Sequence, residues 1–246
     1  MKSERANVLI VDDEPELREI FALWLNREGY TILTAANGAE ALQLLTTQTV
    51  DALISDIRMP IMDGIALVRR IFEMHLQLPS IIFVSGFGDV SVREMYSLGV
   101  EAMIAKPLVR KDLLHALSSS LKEREQLWLT PAEQPVTESV AYTFESFAKA
   151  DAHCEFSVGR GGICLRSSRA FVEDALVDLE IDFAEEGLAI RGQGVVRWCS
   201  LKDQRIGVEF VYLDPMCREW VIAHMQARTP LPFIPGCGAA PGCGST

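Results

Sequence analysis

The sequence predicts an α/β fold in its first half, a doubly wound five-stranded parallel sheet, and a β-rich second half that closes on a helix. Three observations carry this. Short apolar runs alternate with segments of three-and-four apolar spacing until about residue 120. Beyond Leu176 the apolar period changes to two. At 246 residues the chain is also too long for one average domain and comfortable for two, each with its own core.

The predicted strands of the first half are Asn7 to Val11, Thr31 to Ala35, Ala52 to Ser55, Ser80 to Ser85 and Ala102 to Ala105. Between them, sets such as Leu17, Ile20, Phe21 and Leu25, or Ala39, Leu42 and Leu45, repeat at helical spacing. The fifth helix begins after Pro107, and its stripe runs on through Leu114, Leu117, Leu121, Arg124 and Trp128. Two readings stand: a helix that projects to signal or to form a homodimer, or an ordinary core-facing stripe with a frayed end. Thr130, Pro131 and Pro135 then break the pattern and mark a linker.

In the second half Val177, Leu179, Ile181 and Phe183 alternate with Asp178, Glu180 and Asp182, and further strands are expected at Leu188 to Ile190, Gly194 to Trp198 and Ile206 to Tyr212. Such a set forms an antiparallel barrel or sandwich. Asp214 as N-cap and Pro215 as first helical residue open the closing helix, with Trp220, Val221 and His224 on its apolar side. From Pro230 onward the chain repeats Gly-Cys-Gly among Pro and Ala and is expected to be disordered. The layout is therefore residues 1–124, a helix extension and linker over 125–136, a β domain over 137–228, and a tail over 229–246.

Composition excludes several classes. The net charge is −11, both halves are acidic, and no basic helix-turn-helix pattern follows the linker, so no nucleic-acid partner is expected. Met1 to Ala6 is short and charged, and the apolar run behind it is too brief for a signal sequence or a membrane span, so a cytoplasmic protein without membrane insertion is expected. All six cysteines lie in the second half and none forms a C-x-x-C pair, which reads as reduced thiols. Cys237 and Cys243 lack the other half of a tetrahedral metal site. His153 and His224 have no metal partners at useful spacing, and no nucleophile–base pair is visible, so no separate enzymatic domain is expected.

Chemistry gathers in the first half. Asp12 and Asp13 follow the first strand and Asp56 follows the third. In an open parallel sheet these ends meet in one crevice. Three carboxylates there repel one another unless a hard divalent cation such as Mg²⁺ joins them. Ser85 ends the fourth strand and can donate a hydrogen bond, and Lys106 ends the fifth and adds a fixed positive charge. A nucleophilic carboxylate, a metal and two oxygen clamps are the equipment for taking a phosphoryl group onto Asp56 and later losing it to water.

The stretches Val11-Asp12-Asp13-Glu14, Ser55-Asp56-Ile57-Arg58-Met59-Pro60, Met62-Asp63-Gly64, Val84-Ser85-Gly86 and Lys106-Pro107 make the first half resemble the receiver domain of bacterial response regulators. The resemblance implies a flavodoxin-like strand order of 2-1-3-4-5 and Asp56 as phosphoacceptor. It implies Asp12, Asp13, Asp56 and the backbone carbonyl of Arg58 as Mg²⁺ ligands. Its donor would be a phosphohistidine on a sensor histidine kinase or phosphotransfer protein, with the receiver catalysing its own phosphorylation and dephosphorylation. One departure is Met103, where receivers usually carry Tyr or Phe three residues before the Lys: a thioether packs well but has neither hydroxyl nor ring.

Phe156-Ser157-Val158-Gly159-Arg160-Gly161-Gly162-Ile163-Cys164-Leu165, Gly194-Val195-Val196-Arg197-Trp198 and Arg205-Ile206-Gly207-Val208-Glu209-Phe210 make residues 137 to 228 resemble a PilZ domain, a six-stranded β-barrel whose usual ligand is cyclic di-GMP. The family's ligand-reading residues do not carry over. No arginine lies between Arg124 and Arg160, where the family has R-x-x-x-R. Its D-x-S-x-x-G turn aligns in either of two ways, with Ser157 at the acid and Gly159 at the serine, or with Glu155 at the acid and Ser157 at the serine in a lengthened turn. Two lost charge-assisted phosphate contacts cost roughly 1.5–3 kcal/mol each, which favours a barrel that binds a downstream protein. The alternative is a dual-input sensor with Arg160 as the local cation for cyclic di-GMP.

Overall fold

The computed structural model describes residues 6–86, 91–122, 126–136, 138–227 and 232–236. The chain divides into two compact units, one made of Met1–Ser91 with Val100–Lys122, the other of Val92–Gly99 with Glu123–Thr246.

The first unit runs β1 (Asn7–Val11), α1 (Pro15–Arg27), β2 (Thr31–Ala35), α2 (Gly38–Thr47), β3 (Ala52–Asp56), α3 (Gly64–Glu73) and β4 (Ser80–Ser85). After α4 (Val92–Ser97), which counts with the second unit, come β5 (Val100–Ala105) and α5 (Arg110–Ser120). Every pairing in its sheet is parallel and the order is β2-β1-β3-β4-β5, the order that the sequence implied. A parallel sheet covered on both faces needs strands that are apolar throughout, and β3 is buried from end to end. Val8, Ile10, Ile54 and Ile82 join Phe21 and Leu25 of α1 and Leu113 and Leu117 of α5 in one core cluster. The alternate residues Leu9, Leu53, Ile81 and Phe83 are fully buried as well.

Local chemistry fixes where the helices start. Pro15 opens α1. Asn37 caps α2 by accepting from the amides of Ala39 and Glu40 at 3.0 Å each, and Glu40 accepts from the amide of Ala36 at 2.9 Å and from the Asn37 side-chain amide at 3.0 Å, a box like the capping box but set one residue earlier. Asp63 caps α3 by accepting from Ala66 N–H at 2.7 Å.

Of the two readings of the stripe beyond Leu117, the helix that runs on to Trp128 is not found: α5 ends at Ser120. Arg124 lies outside the described residues, and Trp128 has φ +54°, a backbone no helix contains. Its half-buried indole packs edge-on against Phe210 at 5.1 Å, on the core of the second unit.

In the second unit the chain continues through β6 (Glu138–Phe144), α6 (Phe147–Ala152), β7 (Phe156–Val158), β8 (Gly162–Arg166), β9 (Leu176–Phe183), β10 (Leu188–Ser200), β11 (Arg205–Leu213) and α7 (Pro215–Ala227). The six strands form one sheet in the order β6-β9-β10-β11-β8-β7. The expected antiparallel barrel is corrected to an open, mixed sheet: β6 pairs with β9 in parallel while the other pairs are antiparallel. The long crossover from β6 through α6, β7 and β8 permits a parallel neighbour, which a tight hairpin does not. Among the described residues no ladder joins β6 to β7. Their side chains meet instead: Phe144 lies 5.7 Å from Phe156, and both rings pack with Phe183.

Arg191 to Gln193, expected between two strands, and Gly194, expected to open the second of them, lie inside the single strand β10. A Cβ at Gly192 would stand 2.1 Å from the Tyr212 carbonyl oxygen, and irregular register follows Gln193 and Val196, so close approach to β11 at a bulge calls for the glycines. The strand β6 and the helix α6 escaped the sequence reading, although Val140, Tyr142 and Phe144 alternate as a half-buried strand should.

The tail also differs in part from expectation. Residues 237–246, with Cys237 and Cys243, lie outside the described residues, but 232–236 are packed, with Ile234 fully buried beside Cys164 and Trp198. Two apolar side chains between prolines find a surface to cover. Cys154, Cys164, Cys199 and Cys217 are not in disulfides. Among the described residues no helix is long and apolar enough to cross a membrane.

Candidate phosphoacceptor site

Parallel strands deliver their last residues to one edge, and the turns that follow carry the acidic groups there. Asp12 lies just past β1 and is buried, Asp13 beside it is exposed, and Asp56 closes β3 with 8% of its surface exposed. One carboxylate oxygen from each of the three lies within 4.8 Å of the others. Hard oxygen donors at that spacing, with one exposed arm, fit a divalent cation that keeps part of its water shell.

Lys106, at the end of β5, spans the cluster. Its Nζ donates to Asp56 Oδ2 at 2.6 Å and to Asp12 Oδ2 at 3.4 Å, with Glu14 at 3.8 Å. Burial pulls this ammonium's pKa down, but the hydrogen bond it donates to Asp56 and the charges of Asp12 and Asp56 outweigh it and hold the pKa above the ordinary lysine value. Asp12 shows the opposite balance: burial lifts its carboxyl above the usual range, against the Glu14 amide and Lys106, which stabilise the anion. The Lys106-Pro107 bond is cis.

The remaining contacts fix Asp56. The Arg58 amide donates to Asp56 Oδ1 at 3.2 Å, and Ser55 Oγ donates to the Asp56 carbonyl at 2.7 Å. Ser85, buried at the end of β4, donates to the Gly86 carbonyl at 2.6 Å. Asp13 and Arg58 share the rim of an open depression with Met59, Pro60 and Asp63, beside the acid cluster. The fold thus brings Asp12, Asp13, Asp56, Arg58 and Lys106 together at one edge, with Ser85 ending the strand next to β3 and β5.

Two contributors escaped the sequence reading. The Glu14 amide donates to Asp12 Oδ1 at 2.9 Å, and Arg18 donates from Nη1 to the Asp12 carbonyl at 2.5 Å. Their signal was available, since Arg18 follows Glu14 by one helical turn at the start of α1. Met103 on β5 is 42% exposed.

In the second unit, Gly159, Arg160 and Gly161 form the turn between β7 and β8. Arg160 is engaged there: its guanidinium donates to the Gly99 carbonyl at 2.8 Å and its amide to the Pro232 carbonyl at 2.8 Å.

Comparison with known proteins agrees with the first-unit geometry. Residues 8–118 match the response regulator receiver domain family. The transcriptional regulatory protein GlrR of Escherichia coli K12 is 34% identical over 123 residues, which is 50% of this chain and 28% of GlrR. The DNA-binding transcriptional regulator NtrC of the same strain is 38% identical over 104 residues, 42% of this chain and 22% of NtrC. The positive alginate biosynthesis regulatory protein of Pseudomonas aeruginosa is 37% identical over 125 residues, 49% of this chain and 50% of that protein. The matches span between about a quarter and a half of these relatives' lengths, and the family match ends before β6 begins. Residues 8–118 of this chain, α4 included, are therefore a response regulator receiver domain.

Proposed function

We propose that the chain is a phosphorelay response regulator in which Asp56 accepts a phosphoryl group from a histidine kinase or phosphotransfer protein, and in which the second unit is a PilZ-like output module that binds a protein. The observation that carries the first part is the Asp56 carboxylate, nearly buried, held by Lys106 at 2.6 Å and within 4.8 Å of Asp12 and Asp13. An Asp56 oxygen attacks the phosphorus of the phosphohistidine, the P–N bond breaks, and the imidazole keeps the electron pair and takes a proton from solvent. Hydrolysis of the resulting acyl phosphate by water ends the signal. Lys106 is placed to balance charge on the incoming oxygens, and the Ser85 hydroxyl can turn from the Gly86 carbonyl to donate to one of them.

Mg²⁺, held by Asp12, Asp13, Asp56 and the Arg58 carbonyl, would neutralise charge on the transferring group. No further catalytic unit is proposed. For the second unit, support comes from the glycine turn between β7 and β8, the strands around Trp198 and Phe210, and the acidic charge, which suits protein contact better than a nucleic acid. The DNA binding named for NtrC belongs to a protein that this match covers by 22%, and it is not carried over.

The test is phosphorylation of the full chain with acetyl phosphate and Mg²⁺, read on a phosphate-affinity gel. Asp56→Asn abolishes the shifted band and EDTA suppresses it; an Asp56→Asn protein that still shifts fully would refute the assignment. Calorimetry with cyclic di-GMP, with and without beryllofluoride, is expected to be silent. Micromolar binding would replace the protein-binding output with a dual-input sensor.

A further inference from the structure

The turn between β7 and β8 is covered by a short segment from far along the chain. Residues Pro232 to Gly236 lie across it, and two successive amides of the turn donate to two successive carbonyls of the segment: Arg160 N–H to Pro232 at 2.8 Å and Gly161 N–H to Phe233 at 2.9 Å. The turn's glycines make the room. A Cβ at Gly159 would lie 2.4 Å from the Phe233 carbonyl oxygen, and one at Gly161 would lie 2.1 Å from the Phe233 ring. Ile234 fills the cluster of Cys164 and Trp198, the Phe233 ring stacks on Tyr96 of the same unit at 5.7 Å, and Pro235 is buried.

This is the anatomy of peptide recognition. Backbone hydrogen bonds set the register, a side-chain pocket reads one residue, and prolines with no N–H to satisfy flank the reading positions. The fit is imperfect in one respect: among the described residues the Trp198 Nε1, buried in the cluster that Ile234 enters, has no hydrogen-bond partner.

We infer that this surface is a docking groove for an extended proline-flanked aromatic–aliphatic segment of a protein partner, and that residues 232–236 occupy it in cis as an intramolecular competitor. The inference rests on the protein-binding reading of the second unit and names the chemistry of its ligand. A partner segment has the form Pro-aromatic-aliphatic-Pro. It must displace the chain's own copy, so the fraction of molecules with an open groove scales its apparent affinity.

The experiment uses the full chain and a fluorescein-labelled peptide of the sequence Pro-Leu-Pro-Phe-Ile-Pro-Gly, followed by anisotropy. Ile234→Asp releases the segment and leaves the groove intact, and Phe233→Ala is the milder version should Ile234→Asp fail to fold by near-UV circular dichroism. The released variant binds the peptide about tenfold or more tightly than the wild type. Adding Gly161→Val, which fills the space of the Phe233 ring, removes that binding. A folded released variant that binds no better than the wild type, or binding that survives Gly161→Val, overturns the inference. So does a concentration-dependent wild-type dimer, lost in Ile234→Asp, because the segment would then dock on a second copy. If the peptide fails while a beryllofluoride-dependent partner is still captured by the wild type, the groove assignment falls and the proposed function stands.

Discussion

Gly64 offers the sharpest test of how the fold holds its phosphoacceptor. It opens α3, its amide donates to the Ile57 carbonyl at 2.9 Å, and a Cβ built on it would lie 2.4 Å from the Asp56 carbonyl oxygen and 3.2 Å from the Phe83 ring. Ordinary contact begins near 3.4 Å, so Gly64→Ala requires about 1 Å of movement, and the near neighbour is backbone that cannot rotate away. Overpacking of this kind costs about 1–3 kcal/mol. The entropy lost by the unfolded chain on replacing Gly with Ala returns about 0.4–1 kcal/mol. The net of about 1–2 kcal/mol lowers the receiver's unfolding midpoint by about 5–10 °C. Because the displaced group is the main chain of Asp56 itself, its carboxylate moves from the grip of Lys106, and phosphorylation slows by about ten- to a hundredfold. Scanning calorimetry and the initial rate with acetyl phosphate measure the two effects. An Ala variant with wild-type midpoint and wild-type rate would refute the claim that this contact positions Asp56.

Asp12→Asn should stabilise the metal-free protein. Burial places the folded pKa of Asp12 above its ordinary 3.8, so its favourable contribution is full below that value and is lost as pH rises through the folded pKa. At about pH 7 in EDTA the variant therefore melts higher than the wild type, the gain shrinks as pH falls toward about 4, and calorimetry finds Mg²⁺ affinity much reduced. Asn37→Ala removes both cap bonds of α2 and one arm of the box with Glu40, and urea denaturation should show a loss of about 1–2 kcal/mol that Asn37→Asp largely avoids. Phe156→Ala deletes a fully buried ring that meets Phe144, Phe147 and Phe183, and should cost about 3–5 kcal/mol in the second unit while leaving Asp56 phosphorylation unchanged. A loss below about 1 kcal/mol would mean that the aromatic cluster does not hold β6, β7 and β9 together.

The sequence by itself determined the receiver. Its strands are short, and β1, β3 and β4 are almost wholly buried, so apolar runs mark them, and the chemistry sits at strand ends, where position along the chain fixes position in space. Asp12, Asp13, Asp56, Ser85 and Lys106 could therefore be named before any coordinate, and the strand order followed from their motifs. Local signals also set the start of α7 at Pro215.

Tertiary structure decided the rest wherever a distant partner overrides local preference. The helical stripe through Leu121 and Trp128 is a pattern in the sequence, but the helix stops at Ser120, and Trp128 has a positive φ with its half-buried indole against Phe210. Arg191 to Gln193 looked like a break between two strands, and only the approach of β11 to Gly192 and Gly194 reveals a bulge within one strand. A parallel β6 could not be read locally, because its partner β9 lies some thirty residues on and pairing depends on the path between them. The Pro-Phe-Ile-Pro segment had the composition of a loose tail, and its place against Gly159 and Gly161 comes from a surface built by residues about seventy positions earlier, which no local pattern encodes.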